Sequence, residues 1–309
     1  MKTISVLTAC YNEEDNVEEL SGRVRDAFCK LPGYSYEHIF IDNASTDKTV
    51  LRLRALAAKD KHIKVIVNSR NFGQIRSGWY GLLQTSGDAI INMVADLQDP
   101  PEMIIDFIKK WEAGYKIVVG VKKGSQEARW MFAVRNLFYR IIGTLSEVQQ
   151  IRGFTGFGLF DKQVMNIMRQ IDDPYPYFRG LISEIGFDVA KIEYIQPKRH
   201  HGLTTHSFYT LYDMAMLGIT NHSKVPLRLA TMLGFIISVF SILTALGYFI
   251  YKLVFWNSFN VGMAPLVIGF FFFAAVQLFF IGILGEYIGS IHTQVLKRPL
   301  VIEKERINF

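Results

Sequence analysis

The sequence predicts an α/β domain with a mostly parallel sheet, followed by a C-terminal pair of membrane-spanning helices. Three observations predict it. Between Thr3 and Val94, short apolar runs alternate four times with segments of helical periodicity, and strand-then-helix repetition with buried strands argues a parallel sheet covered on both faces. Two charge-free runs follow, Leu229–Tyr251 of 23 residues and Val261–Gly285 of 25, each longer than the roughly 20 apolar residues that cross a bilayer. Finally, every early strand ends in a polar cluster, and ligands of open α/β sheets bind beyond the carboxyl ends of the strands.

The elements follow in order. Thr3 to Thr8 is a β-rich apolar run that ends in Tyr11-Asn12-Glu13-Glu14-Asp15-Asn16. The next helix carries Val17, Leu20, Val24 and Phe28 on one face. Tyr36 to Ile41 is a second strand ending in Asp42-Asn43, and the helix after it uses Val50, Leu53 and Leu56 or Ala57. Ile63 to Val67 ends in Asn68-Ser69-Arg70-Asn71, a helix spans about Gln74 to Thr85, and Ala89 to Val94 is the fourth strand. Beyond Pro101 the pattern mixes: a helix from Ile104 to Trp111, a strand from Lys116 to Gly120, and an aromatic, basic helix from Gln126 to Ile142. That helix suits either a membrane surface or a core with solvated arginines. Gly153 to Phe160 is a glycine-rich strand, where missing side chains are expected to admit a ligand.

Boundaries are placed at 1–206 for the α/β domain, 207–228 for a juxtamembrane amphipathic helix, 229–251 and 261–285 for the spans, 252–260 for an external loop and 286–309 for a tail. The loop holds only Lys252, whereas Lys224, Arg228, Lys297, Arg298, Lys304 and Arg306 flank the spans. By the positive-inside rule the domain and both termini face the cytoplasm of a plasma (inner) membrane protein. Met1-Lys2-Thr3 runs straight into a strand, so no signal peptide is expected. Cys10 and Cys29 offer neither a disulfide framework nor zinc spacing. The net charge of +6 fits anionic lipid better than nucleic acid, for which no motif stands out.

The segment Val94-Ala95-Asp96-Leu97-Gln98-Asp99-Pro100-Pro101 concentrates the chemistry. In an extended chain the side chains of Asp96 and Gln98 leave the same side. One charged and one neutral oxygen suit a hard divalent ion that already carries phosphate oxygens. The same segment reads as a helix start, with Asp99 as cap, proline at the first helical positions and Glu102 in the first turn. Asp99 beside the nucleophile is the catalytic alternative to the cap.

Tyr11-Asn12-Glu13-Glu14, Ile41 through Thr49, Asn71-Phe72-Gly73 and Asp96 through Pro101, in that order, resemble the inverting glycosyltransferases of family 2. The likeness is greatest to polyprenyl-phosphate glycosyltransferases related to dolichyl-phosphate mannose synthase. Gly282 through Gly289 and Lys297-Arg298-Pro299 are similar to the bactoprenol glucosyltransferase branch. The resemblance implies a GT-A domain that moves a hexose, glucose first, from a nucleotide sugar to polyprenyl (undecaprenyl) phosphate for a cell-envelope glycan. UDP-hexose is favoured over GDP-mannose. Asp42 would accept from the nucleotide base, with Ala9, Tyr11 and Glu13 lining that pocket and Ala95 meeting the donor through its backbone. Asp96 and Gln98 would hold Mg²⁺ or Mn²⁺, and Arg199 would meet phosphate charge.

Three positions depart from the family pattern: Val94 replaces an acid, Gly158 a basic residue, and Thr205 a lysine. Lys122, Lys123, Arg152, Lys198 and His206 are the substitutes for acceptor-phosphate binding. A phosphate monoester already carries about −1.5 to −2 charge at neutral pH, so the acceptor needs positioning more than a general base. His200, His201 and His206 suit phosphate or surface better than zinc. Gly282, Gly285 and Gly289 would let spans pack closely, implying a homo-oligomer. The rivals are transfer to another lipid and a non-catalytic donor-binding partner of a glycosylation complex.

Overall fold

The computed structural model describes residues 1–123, 151–197, 216, 220, 224–255 and 263–309. The expected helix over 126–142 lies outside the described residues, as does the expected juxtamembrane helix over 207–228 apart from 216, 220 and 224–228, and as do Lys198, Arg199, His200, His201, Thr205 and His206.

Eight strands form one sheet. They are β1 (Lys2–Cys10), β2 (Tyr34–Asp42), β3 (Ile63–Asn68), β4 (Ala89–Val94), β5 (Ile117–Lys122), β6 (Phe154–Asp161), β7 (Val189–Tyr194) and β8 (Glu303–Ile307). Their order is β7-β5-β6-β4-β1-β2-β3-β8. β1 pairs in parallel with β2 and β4, β2 with β3, and β5 with β7, whereas β6 runs antiparallel between β4 and β5. Period-two alternation explains the layering. Ile4, Val6, Phe40, Val65 and Ile91 face one core, while Leu7, Ile39, Ile41, Ile66 and Ile90 face the other.

Helices α1 (Val17–Cys29), α2 (Thr49–Lys59) and α4 (Ile104–Glu112) cover the first face, and α3 (Gln74–Leu83), α5 (Lys162–Arg169) and α6 (Phe178–Glu184) the second. Val17, Leu20, Val24 and Phe28 of α1 are all buried, as their spacing requires. In α2 only Leu53 and Ala57 of the apolar set are fully buried.

The C-terminal segment is not a tail. β8 pairs antiparallel with β3, setting Val65 opposite Ile307 and Val67 opposite Glu305, and so closes an edge that would otherwise present unpaired backbone groups. Arg54 pairs with Glu305, Tyr80 Oη donates to Glu303 Oε1 at 2.8 Å, and Asn308 Nδ2 donates to Ala57 O at 2.7 Å and Ile63 O at 2.8 Å. Long-range pairing outweighs the weak strand propensity of Glu-Lys-Glu-Arg-Ile.

Between domain and strand lie α7 (Val225–Val254) and α8 (Met263–Val295), and α8 runs ten residues past the expected end of the span at Gly285. Both are long and apolar enough to cross a membrane, with mean hydropathy 2.3 and an apolar surface that nothing in the described residues buries. Because β8 belongs to the same sheet as β1, α7 starts and α8 ends on the side of the bilayer that holds the domain if both helices cross it.

Two buried polar knots brace the sheet. Glu37 accepts from Ser5, from Ser86 N at 3.1 Å and from Lys64 Nζ at 2.6 Å; together these bonds hold its pKa below the usual range against the opposing effect of burial. His38 lies buried with Nε2 3.0 Å from Thr8 Oγ1, and burial lowers its pKa to about 3. Below pH 6.5 the unfolded chain binds a proton that folded His38 refuses, so this residue's contribution to stability falls with pH down to about 3. Unfolding of the solubilised full chain is expected to lose about 1.4 kcal/mol between pH 7.5 and 5.5 relative to His38→Gln. Equal pH slopes for the two proteins would refute the assignment.

Candidate active site

Parallel register aligns the strand ends. Ala9 stands opposite Ile41 on one side and Val94 on the other, so Tyr11, Asn43 and Asp96 each lie two residues beyond a common line. β5 and β7 end at the same edge in Lys122 and Tyr194, and antiparallel β6 brings Arg152 and Gly153 there at its start.

The β1 and β2 loops interlock. Asn12 and Ala44 adopt left-handed backbone, φ 56° and 62°, in conformations held by reciprocal bonds. Asn12 N donates to Ser45 Oγ at 2.9 Å, Thr46 N to Asn12 Oδ1 at 2.8 Å, and Glu13 N to Thr49 Oγ1 at 2.9 Å. Asp42 is fully buried. It accepts from Ser45 N at 2.9 Å and from the Ser45 hydroxyl, yet burial still raises its pKa above the ordinary carboxylate range. Ala9 and Glu13 are half-buried and Tyr11 is exposed on the same side. The β2 and β3 loops are tied in turn. Asn43 Nδ2 donates to Asn71 Oδ1 at 2.8 Å, and Asn43 Oδ1 accepts from Asn68 Nδ2 at 3.1 Å and Phe72 N at 2.9 Å.

At the end of β4 the chain turns rather than continuing extended. Leu97 is buried with φ 59°, a backbone region that costs energy for a residue with a side chain. Asp96 and Gln98 therefore flank a tight turn instead of alternating along a strand. Both are half-buried while Ala95, Leu97 and Asp99 point inward, and Gln98 N donates to Asp96 Oδ1 at 3.2 Å.

Asp99 does not cap the next helix. Pro100 occupies the cap position without a side-chain bond, and Pro101 opens a 3-10 turn, Pro101–Met103, ahead of α4. Asp99 instead folds back onto Val94 N at 3.2 Å and accepts from Tyr194 Oη at 3.0 Å. Burial pushes its pKa up to about 6, with the Asp96 charge adding to this and Lys122 opposing it. Lys122 is therefore close enough to matter to this carboxylate, whereas Arg152 is exposed beside it at the edge. Among the described residues no three acidic, histidine or cysteine side chains converge as a metal cluster.

Tyr194 was missed in the sequence, although Ala190, Ile192 and Tyr194 alternate as a strand would. Gly158, one glycine of the strand expected to admit a ligand, is spoken for by packing: a Cβ there would stand 2.5 Å from Val118 O of β5.

A model of glycosyl transferase family 2 matches residues 5–171, more than half of the chain. The chain belongs to glycosyl transferase family 2. It is a glycosyltransferase, and its mixed, mostly parallel sheet is the GT-A fold. It is 33% identical over 301 residues to an uncharacterised glycosyltransferase of Synechocystis sp., covering 97% of this chain and 94% of that one. It is 32% identical over 303 residues to a prophage-derived bactoprenol glucosyl transferase of Shigella flexneri, covering 98% and 97%. The crystal structure of Mycobacterium tuberculosis glucosyl-3-phosphoglycerate synthase aligns at TM-score 0.47 and 18% identity, over 71% of this chain and 78% of that one.

Crowding at Gly158 yields a direct check within this glycosyltransferase. Gly158→Ala is expected to lower stability by about 1–3 kcal/mol, the scale of an overpacked core, and Gly158→Arg by at least as much without tightening phosphate binding. Thermal unfolding at wild-type temperature in either variant would show that β5 does not press on this position.

Proposed function

We propose that this glycosyltransferase moves a hexose, glucose first, from a nucleoside diphosphate sugar to a polyprenyl phosphate at the membrane surface, with inversion. The full-length likeness to a bactoprenol glucosyl transferase carries this reading, and the polar edge supports it. UDP-glucose is the favoured donor. Asp42, Ala9, Tyr11 and Glu13 line the base side, and Ala95 meets the donor through its backbone.

The residues at the β4 turn fit a divalent cation. Asp96 and Gln98 are hard oxygen donors next to solvent, and a pair leaves coordination positions for diphosphate oxygens and water, the arrangement Mg²⁺ or Mn²⁺ adopts with nucleotides. When bound, the ion would offset charge on the departing diphosphate as a Lewis acid. Lys122, Arg152 and Arg199 draw the acceptor phosphate to the edge through charge. A phosphate oxygen then attacks the anomeric carbon opposite the leaving group, and no protein base is required because that oxygen is already ionised.

Helices α7 and α8 hold the domain at a bilayer, where the greasy acceptor resides. The basic residues flanking them favour a cytoplasmic domain, and the shared sheet of β3 and β8 supports a hairpin with both ends on that side.

Membranes carrying Asp96→Ala are expected to lose transfer by about 100-fold or more, the scale of removing one transition-state contact; transfer at the normal rate would refute the site. Labelled UDP- and GDP-sugars with polyprenyl phosphate test the donor. UDP-glucose is expected to give an acid-labile lipid product that chelation of divalent ions prevents, and preferential use of GDP-mannose would overturn the donor assignment.

A further inference from the structure

Leu97 is buried and not a glycine, yet its backbone holds a left-handed turn at φ 59°. A strained turn persists only where its surroundings over-determine it, and here the surroundings come from three other strands. Asp99 bridges the start and the flank of the turn, with one oxygen on Val94 N at 3.2 Å and the other on Tyr194 Oη at 3.0 Å. Asp99 is 3% exposed and Tyr194 7%, so water does not compete for these bonds.

Tyr194 is itself immobilised. Its ring meets Phe157 of β6 edge-on, with centroids 5.6 Å apart and planes at 78°. Gly120 of β5 leaves room for it, since a Cβ there would lie 3.1 Å from Tyr194 Cε1. Lys123 N donates to its backbone carbonyl at 2.9 Å. A rigid phenol on the outermost strand thus reaches across the sheet to the turn that follows its central strand.

We propose that Tyr194 and Asp99 form a clasp that sets the backbone turn bearing Asp96 and Gln98. Tyr194 is a positioning residue: it acts through Asp99 on the two oxygen donors without touching substrate. The functional consequence rests on the assignment of Asp96 and Gln98 as the cation pair; the clasp itself does not. Loss of the phenol hydroxyl leaves the ring packing intact and a buried carboxylate oxygen short of its donor.

The test uses the full chain in lipid nanodiscs. Hydrogen–deuterium exchange of Tyr194→Phe is expected to show amides 94–98 exchanging about tenfold faster, the scale of one lost buried hydrogen bond, with β1 and β2 unchanged. Asp99→Asn, whose amide can accept from Val94 and donate to Tyr194, is expected to keep wild-type protection, whereas Asp99→Ala loses it. Manganese binding in the presence of UDP, read by electron paramagnetic resonance, is expected to weaken about tenfold in Tyr194→Phe, while metal-free UDP binding holds. Unchanged exchange at 94–98, or faster exchange throughout the domain, overturns the clasp. Wild-type protein that binds no manganese with UDP overturns the cation pair instead, and exchange at 94–98 then decides the clasp alone.

Discussion

Parallel pairing of β1 with both β2 and β4 is the constraint on which the rest depends. Neighbouring parallel strands point the same way, so every loop that leaves a carboxyl end emerges at one edge. The shared register of Ala9, Ile41 and Val94 sets the depth as well as the side. Residues far apart in sequence, such as Tyr11, Asn43 and Asp96, are therefore brought to the same edge without any one loop having to be long. The loops then stiffen each other: Asn12 and Ser45 lock two of them, and Asn43 and Asn71 lock the next pair.

The half of the sheet beyond β4 obeys a different logic. β6 runs antiparallel between two strands of the opposite sense, so its beginning rather than its end reaches the edge. That reversal brings Arg152 beside Lys122 and lets β7 deliver Tyr194. Glycine at 158 is the condition for it, because β5 and β6 approach too closely for a side chain. A basic residue there would have had to displace the backbone before it could meet a phosphate.

Perturbed titration is a common mark of functional sites, but here it marks two kinds of place. Asp42 and Asp99 lie at the carboxyl edge, where burial raises their pKa values. Glu37 and His38 lie within the sheet and hold strands together through Lys64, Ser5, Ser86 and Thr8. Location on the sheet separates the two kinds. The C-terminal strand adds a further structural role, since its bonds to α2, α3 and β3 return the chain to the domain after two helices long enough to leave it.

Periodicity and composition were enough to predict the four strand–helix repeats, the polar strand ends and the two long apolar segments. Each of these is a local property: alternation reflects which neighbours bury a residue, and an uncharged apolar run of over 20 residues matches the thickness of a bilayer core. The reaction class came instead from the resemblance of the ordered motifs to a known family, not from a local physical property. Tertiary structure decided what local pattern cannot encode. Asp99 had every local sign of a helix cap, yet its partners are Val94 and a tyrosine 95 positions away. Glu303–Ile307 looked like a charged tail, yet the open edge of β3 made it a strand. In both cases a long-range hydrogen bond outweighed the local preference, because a buried donor or edge left unpaired is more costly than an imperfect fit to propensity.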